Sequence, residues 1–150
     1  MYRDFFGIAF VGMLFFILIF IAIAVTIYVF SSFALYKMAK NRGINNPWMA
    51  WIPFANMWIW GELGNYFYRL DNAPKENLPI LLLVFTLGGL IPIIGFASTI
   101  IALVLQYMVL YQIYKHTTPN NAVVFLVLSI IFPVTMPFFL FAQRNKIDVL

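Results

Sequence analysis

FGIAFVGMLFFILIFIAIAVTIYVFSSFAL, residues 6–35, carries no charged side chain. As an α-helix these thirty residues would extend about 45 Å, against a bilayer hydrocarbon core of about 30 Å. The stretch reads as a membrane helix that tilts or projects into an interface. Its N-terminal flank does not resemble a cleaved leader: Arg3 is cancelled by Asp4, and the apolar run continues far past the small-x-small site Ala22-Ile23-Ala24. A retained first helix is therefore expected.

Beyond residue 35 the sequence becomes basic. Lys37, Lys40 and Arg42 form the densest positive cluster in the chain, and Gly43 with Asn45-Asn46-Pro47 follows as a helix breaker. Cations in a last helical turn suit the backbone dipole. They also place that end in the cytoplasm by the positive-inside rule, which leaves the N-terminus outside. The whole chain is 64% hydrophobic and 9% charged, whereas a soluble domain is roughly a quarter charged. One water-soluble core could not hide that much apolar surface, so lipid is the expected solvent. The expectation is an all-α integral membrane protein in the cell membrane, residues 1–150 forming a single polytopic domain. The formal net charge of +4 sits on short connections, which suits topology signalling and not a nucleic-acid footprint. No cysteine is present, so disulfide and thiolate chemistry are excluded.

PWMAWIPFANMWIWG, residues 47–61, is apolar but short. Pro53 interrupts it, and it holds Trp48, Trp51, Trp58 and Trp60. Tryptophan favours the headgroup level, so this segment is expected to be interfacial or re-entrant, with a kinked crossing as the alternative. Residues 61–77 form the longest polar segment and read as a loop containing a short interfacial helix around Tyr66, Phe67 and Tyr68. The apolar run 78–114 is too long for one crossing. Gly88, Gly89, Pro92 and Gly95 divide it into a short span, 78–91, and a standard one, 96–114. The last apolar segment, 122–142, is interrupted by Pro133 and Pro137 and followed by Arg144 and Lys146. A straight crossing would put those cations outside; a bent re-entrant pass would return them to the cytoplasm. About four hydrophobic passes plus the Trp-rich element are expected.

The punctuation repeats. Leu35, Tyr36, Lys40, Asn45 and Asn46 recur 75 residues later as Leu110, Tyr111, Lys115, Asn120 and Asn121. This suggests pseudo-repeats 1–75 and 76–150, with the Lys37–Arg42 and Lys115–His116 connections both cytoplasmic. Tyr36 and Lys40 share a helix stripe, as do Tyr107, Tyr111 and Lys115. Two such stripes facing each other would form a polar seam of the kind repeats build around a central site. Equally, tyrosines anchor at the headgroup level and duplicated helix ends would repeat that signal.

Little chemistry is written into the spans. No ionisable residue lies securely within one, which argues against a proton-driven pump. Asn56, Thr86, Thr99 and Gln106 are the membrane-interior polar contacts, able to serve a passive pore or carrier, or simply to satisfy backbone carbonyls. The single histidine, His116, cannot supply a histidine cluster, and the carboxylates are separated, so no metal site or cofactor is expected. Ser31, Ser32, Ser98 and Ser129 have no nearby activating base, and no catalytic residue is assigned. Glu62, Asn65, Arg69 and Asp71 are the one compact polar group. The first three would share a helical face, either as a site or as an ion-paired interfacial helix.

The stretch ALYKMAKNRGINNPWMAWIPFANMWIWGEL, residues 34–63, resembles a segment of small multi-pass bacterial membrane proteins of unknown function. Tyr36, Ala39 and Lys40 match their helix end, Pro47 and Trp48 the turn, and Trp51, Ile52, Pro53 and Asn56 the Trp-Ile-Pro-x-x-Asn element. Leu90-Ile91-Pro92-Ile93-Ile94-Gly95 resembles a second copy, with Gly95 where asparagine would stand. The resemblance implies a multi-pass fold and transfers no active site. Some of these proteins are described as signal-peptidase-associated, but the serine-lysine pair of signal peptidases has no counterpart here.

Short loops leave no catalytic domain in water, and the spans offer ample apolar surface. The expected function is that of an accessory or scaffolding subunit of a transport, secretion or cell-envelope complex, partnered by the lipid bilayer and another membrane protein or a second copy. A small solute transporter or pore acting as a homo-oligomer is the alternative. A lipid-active membrane enzyme built on Glu62–Asp71 comes third.

Overall fold

The structure, a computed structural model, describes residues 2–146, with side chains described at residue 7 and from residue 9 onward. The expected cancellation of Arg3 by Asp4 therefore lies outside the described side chains. All regular structure among the described residues is helical. The elements are α1 (Tyr2–Asn41), a 3-10 turn (Pro47–Trp51), α2 (Asn56–Leu70), α3 (Leu78–Gly88), α4 (Gly95–Thr117), a second 3-10 turn (Pro119–Asn121), α5 (Ala122–Ile131) and α6 (Thr135–Gln143).

α1 is 40 residues long, about 60 Å, because nothing breaks the pattern before Gly43. There the backbone turns left-handed, with φ 67°. Ile44 N–H then reaches the Ala39 carbonyl at 3.0 Å and Gly43 N–H that of Lys40 at 3.3 Å. This paired closure satisfies carbonyls the helix would otherwise leave open. α2 ends in the same way, with Asn72 at φ 55° and Ala73 N–H on the Tyr68 carbonyl at 2.9 Å. Asparagine tolerates that conformation better than most side chains.

The Trp-rich segment differs from expectation. Residues 47–61 do not form one element: a 3-10 turn occupies Pro47–Trp51, the chain bends at 52–55 with Phe54 at φ 65°, and α2 begins at Asn56. Nor is 61–77 mainly loop, since α2 continues through it to Leu70 and only 71–77 connects to α3. The polar residues misled because they lie on one side of a helix whose other side is apolar. Ile59, Trp60, Leu63 and Phe67 are buried there, and Trp60, 2% exposed, is core rather than interfacial. Trp48 and Trp51 are exposed.

α2 packs against both α3 and α4. A Cβ at Gly61 would overlap the backbone of Pro79, and one at Gly64 would lie 2.6 Å from Val109 Cγ2. Hydrogen at these two positions is what lets the three helices meet so closely. α3 and α4 form a hairpin, turning at residues 89–94 where the sequence divides them, and Ser98 Oγ donates across it to the Phe85 carbonyl at 2.8 Å.

α5 and α6 also fold back on each other, broken at 132–134 around Pro133. The return brings Arg144 beside α1, where Asn41 Nδ2 donates to its carbonyl at 3.1 Å. It brings Lys146 to Thr118, with Nζ donating to Oγ1 at 2.9 Å. Of the two geometries open for residues 122–142, the bent one is adopted. Phe30 and Phe33 of α1 pack on Phe141 at ring separations of 5.1 and 5.8 Å.

Among the described residues two helices are long and apolar enough to cross a membrane: α1 from Ala9 to Asn41, and α4. α3 and α5, at 11 and 10 residues, reach only about 15 Å each. The buried core gathers where α2 meets the C-terminal parts of α1 and α4, around Leu35, Met38, Trp60, Phe67, Leu110 and Tyr114.

Candidate functional site

The polar side chains collect at the end of the molecule where α1, α2 and α4 all terminate. Arg42, one residue past α1, lays its guanidinium over the Phe67 ring at 4.8 Å. Phe67 stacks in turn on His116 at 5.4 Å, with the rings 20° apart. This three-layer stack puts the basic end of α1 and the basic end of α4 on the same side of the protein. His116 is 1% exposed. Its Nε2 lies 3.3 Å from Asp71 Oδ1, yet neither ring nitrogen makes a hydrogen bond.

Asp71 takes its firm contact from Lys115, whose Nζ donates to Oδ2 at 2.6 Å. That hydrogen bond, together with the positive charge of Lys115, holds the Asp71 carboxyl below its ordinary range, against the opposing effect of partial burial. Nearby, Thr117 Oγ1 meets both the Ile113 carbonyl, at 2.7 Å, and the side-chain amide of buried Gln143. Tyr114 and Ser129 pair their hydroxyls at 3.0 Å inside the core. Burial makes each of these contacts matter, since a polar group left unmatched there costs free energy.

The predicted polar group separates into two. Glu62, Asn65 and Arg69 do share one side of α2, and with Arg42, Asn45 and Tyr66 they line a polar notch of about 310 Å³. Asp71 is turned away toward Lys115 and His116. Asn65 has a structural role, because its Oδ1 accepts the Lys75 backbone N–H at 3.1 Å and so pins the 71–77 connection onto α2. Arg69 is exposed.

The two predicted tyrosine stripes are not brought face to face. α1 packs on α6, on the first 3-10 turn and on α2, with no extended contact along α4. Lys40 lies over its own Tyr36 ring at 5.9 Å. Tyr107 donates to the Ser129 carbonyl at 3.3 Å, and Tyr111 is 39% exposed on the outer face of α4. The interior polar residues are likewise dispersed. Asn56 sits half-buried at the start of α2 with Oδ1 unpartnered, Thr99 donates to the Gly95 carbonyl at 2.8 Å, and Thr86 and Gln106 are half-buried on separate helices.

Gln112, His116 and Gln143 belong to the buried network; of the three only His116 stands out in the sequence, as a lone histidine in a basic connection and not as a buried group. A signal did exist for the first two: Gln112 and His116 are four apart on the same helical face as Val109 and Ile113, so they share the face that α4 buries. Among the described residues no group of three or more His, Asp or Glu side chains converges as a metal would require. No family model, no curated protein and no solved structure matches this chain.

Proposed function

We propose that this chain is a small integral membrane protein that acts by association, as an accessory or scaffolding subunit of a transport, secretion or cell-envelope complex. The observation that carries this reading is the bareness of α1. From residue 9 to residue 26 nearly every side chain is exposed, and among the described residues no other helix packs there. That is a rod of about 27 Å with no intramolecular partner, comparable to the thickness of the hydrocarbon. An apolar surface of this extent calls for lipid or another apolar helix. In the proposed arrangement α1 and α4 cross the bilayer, α3 ends on the far side beside the start of α4, to which the 89–94 turn joins it, and the α5–α6 hairpin enters from the cytoplasmic side and returns. The N-terminus lies outside, and the ends carrying Lys40, Arg42, Lys115, Arg144 and Lys146 face the cytoplasm.

Association is favoured over transport because the tyrosine stripes do not enclose a path within one copy. It is favoured over lipid chemistry because Asp71 is engaged away from the Glu62 notch. Purification from membranes in mild detergent tests the reading: a second membrane protein in fixed stoichiometry is the expected result. A lone homodimer that passes solute in liposomes would overturn it in favour of a pore, and loss of a lipid-modifying activity in Glu62→Gln, with folding intact, would overturn it in favour of an enzyme.

A further inference from the structure

Two apolar grooves flank Met108 on the exposed face of α4. The longer, about 610 Å³, runs from Gln112 and Tyr111 down to Ile100, between α4 and Leu126 of α5. It spans about 18 Å along the helix, slightly more than half of a hydrocarbon core about 30 Å thick. The shorter, about 490 Å³, lies between α3 and α4 over Leu81 and Leu105. The grooves converge at their polar end. Tyr68 lines the first, Lys75 lines the second, and the Lys75 ammonium lies 5.3 Å from the centre of the Tyr68 ring.

Lys75 is held in place and its charge is not spent. Its backbone N–H is fixed by Asn65, its side chain is exposed, and the neighbouring Asp71 pairs with Lys115 instead. Glu76 lines the same mouth. The site therefore offers one cation and one anion, side by side, above two apolar channels.

We infer that this is a binding site for one diacyl phospholipid with an amine-bearing headgroup. One acyl chain lies in the long groove and the top of the other in the short one. The phosphate meets Lys75, and the headgroup ammonium meets Glu76. Charge complementarity selects a zwitterionic headgroup, since one of net negative charge would satisfy Lys75 but face Glu76, and a primary ammonium, unlike a quaternary one, can also donate hydrogen bonds to the Glu76 carboxylate. The inference rests on the proposed membrane location.

The test is native mass spectrometry of the whole protein, extracted from membranes in mild detergent, delipidated, and titrated in turn with phosphatidylethanolamine, phosphatidylglycerol and phosphatidylcholine. Wild type should bind one phosphatidylethanolamine in preference to the other two. Lys75→Ala should weaken that binding about tenfold, the loss of one charge-assisted contact. Val104→Trp, which fills the long groove from an exposed position, should weaken it as strongly while leaving the helical circular dichroism and melting temperature unchanged. Equal binding of the three lipids, a preference for phosphatidylglycerol, or wild-type binding by both variants would overturn the inference. Recovery of the chain in the membrane fraction is read from the same preparation. Lost lipid preference in a membrane-embedded chain defeats this inference alone, whereas a chain absent from that fraction defeats the membrane reading with it.

Discussion

Replacing Gly61 by alanine places one methyl group against the backbone of another helix. That methyl would sit 2.5 Å from Pro79 N and 2.9 Å from Pro79 Cβ, and nearer still to its Cα. Ordinary contact begins at 3.4 Å, so α3 would have to move outward by about 1 Å. No side-chain rotation relieves the overlap, because the obstacle is main chain. The shift would loosen Leu78 and Leu82, 3% and 0% exposed, from the core. Overpacking of this kind costs about 1–3 kcal/mol, and the immovable partner argues for the upper end. Alanine returns about 1 kcal/mol of helix propensity, leaving a net loss of about 2 kcal/mol. At about 2–4 °C per kcal/mol for a chain of this size, the melting temperature should fall by about 4–8 °C. The assay is thermal unfolding in detergent, followed by the near-ultraviolet circular dichroism of buried Trp60. Gly12→Ala is the control, since nothing stands within 4 Å of its Cβ position, and it should melt no lower than wild type. A Gly61→Ala protein as stable as wild type would refute the close approach of α2 to α3.

Phe67→Ala should destabilise the protein by about 3–5 kcal/mol, because Phe67 is fully buried between Arg42 and His116; detergent-resistance melting checks this, and an unchanged midpoint would contradict the stack. Asp71 titrates lower in the folded chain than in the unfolded one, so the stability it contributes is fully present above about pH 4 and is lost as pH falls through its lowered folded value. Wild type should therefore show an acid-dependent drop below about pH 4 that is smaller in Asp71→Asn, as read from denaturation midpoints measured across pH.

Much of the fold is legible because apolar length and helix breakers act locally. The division of 78–114 into two helices follows from Gly88 to Gly95, and the end of α1 follows from Gly43. Each is a backbone preference that no distant contact has to supply. The bent course of 122–142 follows Pro133 in the same way. What misled was α2. Its charged residues imitate a loop until the apolar face formed by Ile59, Leu63 and Phe67 is counted at helical spacing. The site was half legible for the same reason: Glu62, Asn65 and Arg69 share a face by periodicity, whereas Asp71 caps the end of α2, just before the left-handed Asn72, and meets Lys115 from 44 residues away. Nothing local could announce that pairing. Nor could the sequence show that the tyrosine stripes fail to meet, since that depends on α1 docking against α6.

The account rests on α1 lying in hydrocarbon with the basic helix ends gathered on one side. Asn45, Asn120 and Asn145 are exposed at that end, and the chain contains no cysteine. Single cysteines at these three positions, labelled with a membrane-impermeant reagent in intact cells and then after lysis, measure the arrangement directly. All three should be protected in intact cells and react together once the membrane is opened. Labelling of any one from outside while the others stay protected, or recovery of the chain as a monodisperse protein without detergent, would contradict it.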